Sequence, residues 1–116
     1  MIAVIFEVQP KPERYQEYLD IAASLKTDLE KIDGFISIER FESIYNKGKI
    51  LSLSLWRDEE AVRAWRLYPG HQDAQMKGRF EVFQDYRLHV AEVIRDYGMF
   101  DRKQAPLQLP NVPRPG

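Results

Sequence analysis

The chain contains no cysteine, which excludes a disulfide framework, a Cys-ligated zinc or iron–sulfur centre and a thiol nucleophile. Histidine is almost as scarce, with 2 residues, so any imidazole chemistry runs through His71 or His89. Neither charge sign dominates: 17 basic residues stand against 18 acidic ones, for a net charge of −1. That balance argues against a broad nucleic-acid footprint, and no nucleic-acid partner is expected. No apolar run approaches the ~20 residues of a membrane span, and the first residues lack a basic-then-apolar signal. No membrane partner is expected, and the chain is assigned to the cytoplasm. A glycine-rich phosphate loop is missing, as is any His/carboxylate spacing suited to a metal, so no metal site is expected. What is present is 116 residues, 44% hydrophobic and 12% aromatic. A chain of that size buries roughly two-thirds of its surface on folding, enough for a core without crosslinks.

The run Ile2 to Val8 is β-branched and aromatic and reads as a buried strand. Gln9 to Pro12 breaks it, because proline fixes φ and removes a donor. A helix is predicted from about Glu13 to Ile32, with Tyr15, Tyr18, Leu19, Ala22, Leu25, Leu29 and Ile32 at three- and four-residue steps. Asp33-Gly34 stops it. Phe35 to Ile44 alternates imperfectly. Lys49 to Trp56 alternates cleanly, with Leu51, Leu53 and Leu55 on one face and Ser52, Ser54 and Trp56 on the other. Between them, Tyr45 to Gly48 supplies turn chemistry, so the two runs form a hairpin. Asp58 caps a further helix with Ala61, Val62, Ala64 and Trp65 on its apolar side. After Pro69-Gly70, His71 to Arg79 forms a short helix. A last strand is predicted from Val82 to Tyr97, with Val82, Tyr86, Leu88 and Val90 on one face and Arg87, His89, Ala91 and Val93 on the other.

The order β-α-β-β-α-β predicts an α+β fold of the ferredoxin-like kind: a four-stranded antiparallel sheet with its helices on one face. Residues 1–98 make this domain. Residues 99–116 are proline-rich and aperiodic and are expected to form an arm on a partner subunit. The other sheet face is apolar and uncovered, which predicts a homodimer through that face.

The segment Leu51 to Trp65, LSLSLWRDEEAVRAW, resembles the antibiotic biosynthesis monooxygenase family of dimeric α+β barrels. There a strand ends in Trp, and an acidic stretch then opens a helix bearing a second aromatic. Val4 to Pro12 and Gly34-Phe35 also fit, so the likeness covers about residues 1–97. The resemblance implies a monooxygenase acting on an aromatic or quinol-type small molecule without cofactor, metal or flavin. A non-catalytic dimer binding a small ligand is one alternative it allows, and a haem-binding or haem-degrading protein is another. In the family's haem-degrading branch a strand Asn, a helical Trp and a His line the pocket. Trp65 matches the Trp, while the other two positions fall on Phe6 and Gln75, with His71 one helical turn before Gln75.

For the oxygenase, Trp65, Tyr68 and Phe6 are the expected substrate-binding residues, holding a flat ring. His71 or His89 takes a proton from the phenol, and Arg87 stabilises the resulting anion. His71 opens a helix, where the dipole disfavours the imidazolium. The parity of the last strand decides whether His89 and Arg87 face a cavity or a partner, because a one-residue slip exchanges the two sets. Glu7, Glu39, Arg40 and Glu42 read as charges on solvated edges, and Trp56 as packing or dimer contact.

Overall fold

The computed structural model describes residues 1–106. Four strands, β1 (Ile2–Pro10), β2 (Phe35–Glu42), β3 (Ile50–Trp56) and β4 (Phe83–Glu92), form one antiparallel sheet in the order β2-β3-β1-β4. The α+β ferredoxin-like architecture is therefore as expected. Helices α1 (Tyr15–Ser24), α2 (Lys26–Glu30), α3 (Glu59–Arg66) and α4 (Pro69–Lys77) make the two crossovers.

The boundaries differ from expectation in several places, among them α4, which begins at Pro69 and not at His71. The long first helix is two, divided at Leu25. There the Ser24 hydroxyl donates to the Ile21 carbonyl at 2.6 Å, and Leu25 N–H turns back to Ala22 at 3.3 Å. A serine hydroxyl that bonds a preceding carbonyl competes with the helical ladder. The imperfect alternation of β2 is a register shift between Phe35 and Ser37. It leaves Ile36 exposed, while Phe35 and Ile38 both pack against the core. The last strand ends at Glu92 because β1 begins opposite it, at Ile2. Val82 belongs to a π-helical turn, Gly78–Val82, ahead of that strand.

Two local devices hold the helix layer in register. Asp58 Oδ1 accepts from Ala61 N–H at 2.9 Å at the start of α3, as an N-cap should. Gly34 sits at φ 91°, and a Cβ there would lie 2.7 Å from the Ala61 Cβ. Glycine is thus required twice over, for conformation and for the approach of α3.

Strand parity sorts the sheet. Ile50, Ser52, Ser54 and Trp56 of β3 are buried beneath the helices, and Leu51, Leu53 and Leu55 are half-buried on the outer face. The helix-side core has two clusters. One gathers Ile2, Leu29, Trp56, Ala61 and Trp65; the other gathers Val8, Tyr18, Ala22, Ile50 and Val82. Beyond β4 the chain bonds to itself: Gly98 N–H donates to the Asp101 carbonyl and Asp96 N–H to Gln104 Oε1. The rest of the expected arm, 107–116, lies outside the described residues.

Candidate functional site

Between the two clusters the helices do not meet the sheet, and a cavity of about 200 Å³ remains. Small side chains leave this room: Ser52 and Ser54 occupy the middle of the sheet floor, and Ala22 and Ala74 part of the roof. Leu88 and Val90 line the cavity yet are half-exposed, so it opens on the β4 side.

At one pole Trp65 and His71 form a ring pair, with centroids 4.7 Å apart. Trp65 is held by the core, only 8% exposed. Pro69 in the first turn of α4 directs His71 back towards it. The His71 Nδ1 is buried without a hydrogen-bond partner, and Nε2 faces Gln75 Nε2 at 3.4 Å. Burial lowers the His71 pKa below its ordinary value of 6.5, and the Trp65 backbone opposes this in part. The neutral state expected from the sequence is therefore supported, but burial is the larger cause and the helix terminus is not needed for it. The position that resembles the haem-degrading branch's iron ligand carries the Gln75 amide. An amide is a poor axial ligand, and the imidazole nitrogen nearest it is already directed at that amide.

At the other pole stands Arg40. It is half-buried and lines the cavity, and its Nε is buried with no hydrogen-bond partner. Such an unmade bond costs roughly 1–3 kcal/mol. The Tyr18 hydroxyl lies beside it. Burial raises the Tyr18 pKa, and the guanidinium partly offsets that.

The structure brings His71, Trp65 and Phe6 together around this cavity. It does not bring Tyr68, His89 or Arg87 there. Tyr68 stacks behind Trp65, centroids 5.5 Å apart, and its pKa is raised by the adjacent Asp28 carboxylate. It supports the indole and is not a wall. His89 pairs with Ile5, and Arg87 with Glu7, on the outer face of the sheet. The inner set on β4 is Leu88 and Val90, one residue out of step. Trp56 lines the cavity from the sheet and is not on the outer face. Arg40 was legible as a strand charge; it faces inward because it shares the parity of Ile38 and pairs with the inward Ser52.

The cavity of this small α+β domain is apolar over most of its wall, with an imidazole of lowered proton affinity at one pole and a guanidinium at the other. The family follows from the comparisons. Residues 1–77 match the family model for antibiotic biosynthesis monooxygenase, and the chain belongs to that family. It is 50% identical over 93 residues to "Jasmonate monooxygenase ABM" of Pyricularia oryzae, a stretch that is 80% of this chain and 43% of that protein. The chain thus spans less than half the length of that relative. It is 30% identical over 93 residues to the uncharacterized protein YqjZ of Bacillus subtilis, covering 80% of this chain and 79% of that one. A solved protein of Mycobacterium tuberculosis superposes with a TM-score of 0.76 at 18% identity, over 84% of this chain and 98% of that chain. A conserved protein of Methanosarcina mazei gives 0.73 at 21% identity, over 78% and 90%. Likenesses that distant speak for the fold alone. Among the described residues no helix is long and apolar enough to cross a membrane.

Proposed function

We propose that the chain is a monooxygenase that binds a small, mostly apolar molecule in this cavity, with neutral His71 taking the proton that activates it. The observation that carries the reading is the imidazole itself: half-buried on the cavity wall, low in proton affinity, unpartnered at Nδ1 and tilted against Trp65. A base must be unprotonated at working pH and close to the group it deprotonates, and His71 meets both conditions for a ring lying against Trp65. An aromatic phenol or quinol is the substrate class that needs nothing further. Deprotonation gives an electron-rich anion that reduces O₂. One oxygen atom joins the ring as a quinone carbonyl and the other leaves as water, with all four electrons coming from the substrate.

A second reading follows from the Pyricularia relative, whose name specifies jasmonate. Hydroxylating such an acid takes only two electrons from it, so a two-electron donor must join the reaction. Oxygen uptake with ¹⁸O₂ tests both readings, using phenols and quinols alone and jasmonate with and without a nicotinamide reductant. The expected product carries one labelled oxygen per O₂ consumed. Ligand binding without labelled product would leave a non-catalytic binding protein of the same fold.

The proposal extends to a homodimer in the cytoplasm. Ala3, Ile5, Leu51, Leu53 and Leu55 make the centre of the outer sheet face, with Glu7, Glu39, Arg87 and His89 around them. An apolar centre inside a ring of both charge signs suits a second copy, since each acidic group can meet a basic one across a two-fold axis. Sedimentation is expected to give twice 13.7 kDa, and Leu53→Asp the single mass. A wild-type chain that stays at 13.7 kDa across the concentration series would remove the dimer.

A further inference from the structure

Arg40 has no role in the proton transfer just described, and the sheet gives it a defined place. In register, Arg40 lies opposite Ser52, Ser52 opposite Phe6, and Phe6 opposite Leu88. One row of side chains therefore crosses the cavity floor from the guanidinium to the open β4 side. Four strands at about 4.8 Å spacing make that row roughly 14 Å long. The Arg40 end is cationic and the remainder is a hydroxyl, an aromatic ring and a leucine.

The charge balance around the cavity is one-sided. Its wall includes Arg40, Arg66 and His71, and no aspartate or glutamate among the described residues. Glu17, next to Tyr18 on α1, is held by Arg14 at 2.6 Å and Lys77 at 3.1 Å and does not serve Arg40. Glu42, two residues along β2, is exposed and lies outside the wall. Arg40 has no ion pair among the described residues, and its Nε–H is buried and unmet. A planar fork of donors matches an oxyanion accepting two N–H bonds, and in an apolar, acid-free cavity the singly charged carboxylate is the oxyanion that costs least to desolvate.

We propose that Arg40 anchors a carboxylate of the substrate, so that the cavity selects small amphiphilic acids over neutral molecules of the same shape. Tyr18 adds a hydroxyl at the same end. The apolar body then lies along Ser52 and Phe6 towards Leu88, and the part beside Trp65 and His71 is the part exposed to reaction. This rests on the reading of the cavity as the substrate site. Arg40 sets which molecules enter and how they lie.

Both tryptophans of the chain, Trp56 and Trp65, line the cavity, so intrinsic fluorescence reports its occupancy. The probes are jasmonate against methyl jasmonate and decanoate against methyl decanoate, each pair differing only in the charge. The acid of at least one pair is expected to bind about tenfold or more tightly than its ester, as a charge-assisted pair warrants. In Arg40→Met, which keeps the stem and loses the charge, that ratio is expected to fall to near one with ester affinity retained. Should Arg40→Met fail to fold, Arg40→Lys decides: losing the fork is expected to lower the ratio several-fold. Absent acid binding in both pairs, or a ratio that Arg40 substitution leaves unchanged, overturns the proposal. Selective acid binding without labelled product removes the oxygenase and leaves the anchor standing. Labelled product from neutral phenols with no preference for acids does the reverse.

Discussion

Replacing His71 with glutamine is expected to lower turnover by about 10²- to 10⁴-fold, the usual contribution of a positioned general base. Ligand affinity, read from tryptophan fluorescence, should change little, because glutamine still fills the space beside Trp65 and Gln75. The pH profile separates a base from a mere wall. The His71 pKa lies below 6.5, so the wild-type rate should be flat above that pH and fall below it as the imidazole protonates. The variant's residual rate should lack that fall. Stability has the same sign. Below pH 6.5 the unfolded chain takes up the proton before the folded one does. The contribution His71 makes is thus full above 6.5 and is lost as pH drops through the lower folded value. A variant retaining more than a tenth of the wild-type rate would exclude His71 as the base.

The second large effect is on folding. Trp56 is only 1% exposed, meets Phe35 edge-on at 5.3 Å and donates from Nε1 to Ser54 Oγ at 2.9 Å. Trp56→Ala is expected to cost about 3–5 kcal/mol, because the surrounding strands and α3 cannot collapse into the space of an indole. For a domain of this size that lowers the thermal midpoint by more than about 10 °C. Trp56→Phe should lose less, though it leaves the Ser54 hydroxyl without its donor. Urea unfolding followed by far-ultraviolet circular dichroism measures both. A loss under about 1 kcal/mol for the alanine variant would mean that Trp56 does not hold the two sides of the sheet's core together.

The fold was legible because hydrophobic periodicity and turn residues agree at almost every element. The β3 alternation alone separated the two faces of the sheet, Ser52, Ser54 and Trp56 against Leu51, Leu53 and Leu55, and the helices show which set lies beneath them. The break at Leu25 was not legible, since it depends on the Ser24 hydroxyl choosing a backbone carbonyl over water. Half of the site was legible too. Trp65 and His71 are close in sequence and share adjoining helices, so their pairing is a local matter. The face of His89 and Arg87 stays open in the sequence because the direction of β4's side chains is set by its pairing to β1, across some 80 residues of chain. Arg40 was passed over for a related reason. A charge next to Glu39 and Phe41 looks like an edge residue, although its parity with Ile38 and its pairing with Ser52 turn it inward.

One consequence of the parity of β3 reaches beyond this cavity. Its even-numbered residues, Ser52 and Ser54, fix the volume and polarity available to a bound molecule, and its odd-numbered residues, Leu51, Leu53 and Leu55, fix what the far side of the sheet can adhere to. The two properties are written on alternate letters of one seven-residue strand, so each can drift under mutation while the other is kept. A lineage could refit this domain to a new substrate without disturbing its assembly, or change its assembly without altering what it accepts.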